Sequence, residues 1–373
     1  MLYDTLSVRT ASSSDSTPLI MKNENISSKA VIFNSSCVYV GKSDNMTALT
    51  LLRFGNIPDS LVTLSESAIT ECFLEIYPKY YAYGDTSSNT LSFKVFKVSK
   101  YWTTKTNCDS LLNPDGSSDY FDQTIQGTYS GQIPFKKDSA PPIKIALNKK
   151  MLLDWFTMAR DSVINWGIVL KPDDNSNIIR QFSAQVIGDT LNHAKITMNY
   201  KDSKDSLRTL TLLTAIDASV VCAKEVQTND IVLRGGIANK NKLTFDLSYI
   251  PSESGILYAE MEIVLNKSLV RKGNMPLDSV IEAGIYATES LDSNPITTFN
   301  GVRISGTDRF VFSGINSIIE KIVRNGGKGT VVLYPYGWSL VQSLDYMPFY
   351  GLTEPNVGLR PKLKVAYSTR FRR

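Results

Sequence analysis

Along most of this chain, apolar and polar residues alternate with a period of two. Leu257, Ala259, Met261 and Ile263 alternate with their neighbours over a long run, and Phe93 and Val95, continued by Phe96 or Val98, do so over a shorter one. Such alternation predicts strands with one face in a core and one in water. The runs are short and separated by clusters of Gly, Asn, Asp, Ser and Pro, which predicts an all-β, antiparallel sandwich or jelly roll. Helical spacing stands out at two places. Ile315, Ile318, Ile319, Ile322 and Val323 fall on one helix face, with Ser313 as the expected N-cap and Gly326-Gly327 as the stop. Met151, Leu152, Trp155, Met158 and Ala159 form a similar stripe after Asn148. Both stripes read as core packing on short crossover helices that cover one end of a sandwich.

The two helices sit at the same place in an internal repeat. Ile69–Ile76 (Ile-Thr-Glu-Cys-Phe-Leu-Glu-Ile) matches Ile256–Ile263 (Ile-Leu-Tyr-Ala-Glu-Met-Glu-Ile). Upstream of each lies an apolar strand followed by proline: Leu51–Phe54 before Pro58, and Leu243–Phe245 before Pro251. Downstream, each helix runs into a glycine-led strand ending in proline, Gly167–Pro172 and Gly329–Pro335. The closing strands are Lys195–Tyr200 and Lys362–Tyr367. A unit this long is a domain rather than a solenoid repeat. The expected organisation is an N-terminal arm at 1–27, one domain at 28–202 and a second at 207–369. The polar stretch Lys201–Ser206 is the expected linker.

Composition narrows the class. The chain has 373 residues, 42% of them hydrophobic, enough to pack cores. Its net charge of +4 is too small to suggest nucleic-acid packaging, and no apolar run approaches the ~18 residues of a membrane helix. The N-terminus lacks the basic and apolar regions of a secretory signal, so no export leader is expected. The four cysteines, Cys37, Cys72, Cys108 and Cys222, are widely spaced without a Cys-x-x-Cys pair. They read as reduced, structural thiols of a protein folded in a cytosol.

Taken together, several features resemble the DNRLRE-type β-jelly-roll, a carbohydrate-binding-module-like domain of extracellular and surface proteins. They are Leu51-Leu-Arg-Phe54, Val95–Trp102, the helix followed by a glycine-led strand, and the closing Lys-x-x-Val-x-Tyr strand. In the second half Asp217–Val220 and Leu243–Pro251 carry the same likeness. The resemblance covers all but the arm and the last few residues. Leu291 stands where the first half has Trp102, and the first half has fewer residues between Phe54 and Pro58. The resemblance implies tandem jelly rolls of surface or virion proteins. It assigns no sugar-binding residue, because the family has no motif that fixes one.

Catalytic motifs are missing. There is no Gly-x-Ser-x-Gly elbow, phosphate-binding glycine loop or His-Glu-x-x-His, and His193 is the only histidine. The expectation is therefore no enzyme and no cofactor. Asp115, Asp119 and Asp122 cluster in one segment and Asp173-Asp174-Asn175 in another; each could offer oxygens to calcium, and a solvated loop is the simpler reading. Aromatic clusters offer another chemistry. Tyr80, Tyr81 and Tyr83 near Tyr77, and Tyr336, Trp338, Tyr346 and Tyr350 further on, are candidate glycan or partner contacts.

The basic end, Arg370–Arg373, reads as a solvated tail. A surface-type fold without an export signal, and with apparently free thiols, fits a bacteriophage virion component made in the host cytoplasm. Its expected partners are other virion proteins and copies of itself, with no nucleic acid and no membrane insertion. The alternative is a pair of carbohydrate-binding modules on a bacterial surface or secreted protein.

Overall fold

The computed structural model describes residues 6–12, 19–27, 31–43, 46–135, 141–184, 192–223, 228–236, 239–285, 295, 297–337 and 343–370. The fold is nearly all β and antiparallel, as the alternation predicts. The arm contributes two strands, β1 (Leu6–Ser12) and β2 (Ile20–Ser27). Next come β3 (Val31–Phe33), β4 (Cys37–Ser43), β5 (Met46–Phe54), β6 (Ile69–Gly84), β7 (Thr90–Val98) and β8 (Phe121–Gln132). They are followed by β9 (Ile143–Ala146), β10 (Ile168–Pro172), β11 (Ile178–Ser183), β12 (Lys195–Lys201) and β13 (Leu207–Ala223). The rest are β14 (Ile231–Arg234), β15 (Asn239–Asp246), β16 (Gly255–Val264), β17 (Val280–Ile285) and β18 (Thr297–Arg303), then β19 (Arg309–Ser313), β20 (Lys328–Pro335), β21 (Tyr346–Phe349) and β22 (Lys362–Arg370). Helices are α1 (Cys108–Leu111), α2 (Lys149–Arg160) and α3 (Asn316–Arg324).

The chain forms two compact units, each built on one eleven-stranded sheet. The first unit is Lys29–Lys224 with Gly273–Met275; the second is Met1–Ser28, Glu225–Lys272 and Pro276–Arg373. In the first, β13, β12, β6, β11, β4 and β5 pair in that order, and β5 pairs β13 again, so the sheet closes on itself around one core. The long strands β6 and β13 make the corners: each pairs one neighbour along its first half and another along its second. In the second unit, bridges from Leu265 to Phe349 and from Arg271 to Tyr346 bring the segment after β16 against β21. Phe310 of β19 meets Phe349 edge-on at 5.3 Å across the core.

The predicted boundary at 201–206 is a hairpin turn. Residues Lys195–Lys201 pair directly with Leu207–Leu213. Asp202 makes the turn by accepting the N–H groups of Lys204 (2.9 Å) and Ser206 (3.0 Å), with Asp205 at φ 60°. The charged, polar composition that reads as a linker is therefore turn chemistry. As a consequence β13 belongs to the first unit and not to the second. The described residues of the arm contribute two strands to the second unit: β1 pairs β22 and β2 pairs β15.

Both predicted helices form. Asn148 caps α2 by accepting the Lys150 N–H at 3.0 Å, and the buried stripe is Met151, Leu152, Trp155 and Phe156. In α3 the buried residues are Ile318, Ile319, Ile322 and Val323, as expected, but Ser313 ends β19 and does not cap the helix. Gly314, at φ 71°, turns the chain between the two. Asn316 then ties the helix to β16, accepting from Ala259 N–H (2.8 Å) and donating to Leu257 C=O (3.1 Å). Gly327 stops α3 at φ 79°, where a Cβ would lie 2.4 Å from the backbone of Ser248.

The cysteines depart from expectation. Cys108 and Cys222 form a disulfide that joins α1 to the end of β13; Cys37 and Cys72 are buried thiols outside any disulfide. The disulfide borders a second small core of Leu49, Leu51, Trp102, Leu111 and Phe121.

Candidate interaction site

The two units have matching strand pairings. β22 pairs β16 as β12 pairs β6, and β15 pairs β20 as β5 pairs β10. β20 pairs β17 and β17 pairs β18 as β10 pairs β7 and β7 pairs β8. Within this scheme β13 has a counterpart. Its first half lies on β12 and its second half on β5; β1 lies on β22 and β2 lies on β15. Thus β1 and β2 together fill the place of β13. Each sequence half opens with the strand that completes the sheet of the other half.

The arm is bonded to its site through backbone, core and side chains. Ala11, Leu19 and Ile20 are buried in the second unit's core. Burial of Leu19 and Ile20 contributes about 1.5–3 kcal/mol each. Two asparagines spaced by two lie on one side of β2 and read the backbone beside it. Asn25 donates to Asp230 C=O (2.7 Å) and accepts from Val232 N–H (2.8 Å) and the Asn241 amide (2.8 Å). Asn23 donates to Asn229 C=O (3.0 Å) and accepts from Leu352 N–H (3.4 Å). The polar composition that makes 1–27 look like a loose arm is in part this recognition surface. A detectable signal is short: Arg9-Thr10 and Arg208-Thr209 stand at equivalent places, with Arg9 opposite Tyr367 and Arg208 opposite Tyr200.

The candidate aromatics separate into buried and exposed residues. Tyr81, Tyr83 and Tyr346 are buried. Tyr81 packs edge-on against Tyr39 at 6.2 Å, and the Arg234 guanidinium sits 5.0 Å over Tyr346. A buried ring has no face to offer a ligand, so these three are packing residues. Tyr80 and Tyr350 are half-buried, and Tyr336 is 41% exposed. Trp338 lies outside the described residues.

A better aromatic surface is one the sequence reading did not single out. Tyr101, 61% exposed, packs against Trp166 with ring centroids 4.9 Å apart, and Arg53 lies 5.3 Å from the Trp166 centroid. Trp102 Nε1 donates to Trp166 C=O at 2.9 Å and fixes this loop, where Val163 and Ile164 are also exposed.

The acidic candidates do not converge. Asp115 accepts from Ser117 N–H and Oγ–H, bonds that hold its carboxyl below the usual range, and Asp122 accepts from Thr124 N–H. Asp119 pairs with Lys100, Asp174 with Lys42, and Asp173 accepts from Ser92 Oγ and Asn175 N–H. Among the described residues no group of three His, Cys, Asp or Glu could hold a metal ion. His193 is buried beside the start of β12. No helix among the described residues is long and apolar enough to cross a membrane. Compared with models of known protein families the chain matches none, and none of the curated proteins matches it.

Proposed function

We propose that this chain is a non-enzymatic structural protein of a large assembly, a bacteriophage virion component being the first setting. The observation that carries this reading is the completion of one unit's sheet by strands β1 and β2, encoded more than two hundred residues from the strands they join. Strand addition is a means by which one polypeptide segment binds another: the main chain supplies affinity and the alternate side chains supply specificity. The Asn23 and Asn25 contacts fit that pattern. Light scattering of the full-length chain is expected to give a mass above that of one chain, and antibody against it should sediment with particles rather than with cell envelopes. A single-chain mass at every concentration reached would overturn the assembly reading.

A second reading, glycan binding at a cell surface, is favoured by two observations. The disulfide removes the argument from free thiols and suits an exported protein. The Tyr101–Trp166–Arg53 surface offers an exposed aromatic face beside a cation. On this reading Tyr101→Ala weakens a glycan found by array screening roughly tenfold, a loss of about 1.4 kcal/mol. An array on which the intact protein binds no glycan would sink it.

A further inference from the structure

We propose that β1 and β2 of one copy complete the second unit of another copy, linking chains head to tail. This inference rests on the assembly reading above and names its partner, a second copy of this chain. Within the chain, the sheet of the first half is completed by β13, the strand that opens the following half. The sheet of the second half needs the equivalent strand. The chain meets that need with β1 and β2, which open the first half. The rule observed once inside the chain, that each repeat is completed by the start of the next, continues from one copy to the next if the arm is exchanged.

Energetics permits the exchange. The arm forms the same backbone ladder, the same Leu19 and Ile20 burial and the same asparagine bonds in its own unit or in a neighbour's. Only the linker and the local concentration distinguish the two, which is why strand exchange is a low-cost route to oligomers. The repeat also differs in how its two completing strands are secured. β13 is tied to α1 by the Cys108–Cys222 disulfide, so it cannot leave the first unit. The arm contains no cysteine and is held by non-covalent contacts alone. One donor strand is locked and its counterpart is releasable. Exchanged reciprocally, the contact closes a two-fold pair; passed on from copy to copy, it builds a larger ring or a filament.

The test uses Thr10 and Ala366, which are directly opposed across β1 and β22. Thr10 is exposed and Ala366 half-buried on the outward face, so cysteines there leave the core intact. A tagged T10C chain is co-expressed with a differently tagged A366C chain and oxidised mildly. The expected result is a disulfide-linked species carrying both tags on a denaturing, non-reducing gel. The T10C/A366C chain expressed alone is the control for the ability of this pair to bond.

A bond that forms in this chain without linking chains, with no link between the singly substituted ones, overturns the exchange. In that case, a light-scattering mass above one chain leaves the assembly reading standing, and a single-chain mass removes both. No bond in either arrangement also overturns the proposal, because β1 is then not on β22.

Discussion

Replacing both Cys108 and Cys222 with serine is expected to lower the stability of the first unit by about 4–5 kcal/mol. The bridge closes a loop with a sequence separation of 114 residues, and cross-linking a loop of that length removes much of the freedom of the unfolded chain. The loss should appear as a lower urea midpoint for the first unit's transition, followed separately from the second because two units need not unfold together. Thiol counting provides the companion result. Native protein should show no reactive thiol, because Cys37 and Cys72 are buried and burial pushes the Cys72 thiol up to about 12. Denatured, unreduced protein should show two thiols, and reduced protein four. Four thiols before reduction would mean that the bridge does not form, and the predicted loss of stability would go with it.

Arg180→Leu should cost the first unit about 3–5 kcal/mol. Arg180, on β11, is fully buried in the structure. Its guanidinium donates to Ile133 C=O (2.6 Å), Asn89 Oδ1 (3.2 Å), Lys79 C=O (3.2 Å) and Pro134 C=O (3.5 Å), and lies 4.5 Å from the Phe135 ring centroid. All four acceptors are neutral, so the cation is held by dipoles and an aromatic face rather than by a carboxylate. Leucine fills part of the space but leaves several carbonyl groups buried without donors. Arg180→Lys keeps the charge and loses the planar fork, and should fall between the two. Burial lowers the Arg180 pKa to about 10, below its unfolded value. The charged form therefore costs stability at every pH below about 10, and this cost is relieved only as pH rises through that value. At neutral pH the effect of the substitution should not vary with pH. An Arg180→Leu chain within about 1 kcal/mol of the parent would show that these bonds contribute little.

The sequence was informative where the signal is local. Alternation around Met261 and the stripe from Ile318 to Val323 each reflect short-range geometry, and each is present in the fold; the matched stretches Ile69–Ile76 and Ile256–Ile263 are both strand, although β6 continues past Ile76 to Gly84. Partner choice was not legible. The pattern of Leu207–Ala223 says that a strand exists; it does not say which sheet edge takes it, because that is decided by segments far away in sequence. The same limit hid the disulfide, whose two cysteines share no motif. It also misdirected the tyrosine reading. β6 is covered on both faces near Ala82, so Tyr81 and Tyr83 are buried there with no alternation to mark them. The Tyr101–Trp166 surface joins two loops brought together only by folding.

The placement of β1 on β22 also sets a timetable for synthesis. β1 leaves the ribosome long before β22, and its partner strand is complete only when residue 370 has been added. At 5–20 residues per second the wait is roughly 20–70 s, long enough for the first unit to fold meanwhile. During that interval the arm is an unpaired strand beside other nascent copies on the same message. Its polar residues then act as a guard against premature aggregation, and under the arm exchange proposed above the crowding of a polysome would favour neighbouring chains finding one another before each has closed on itself.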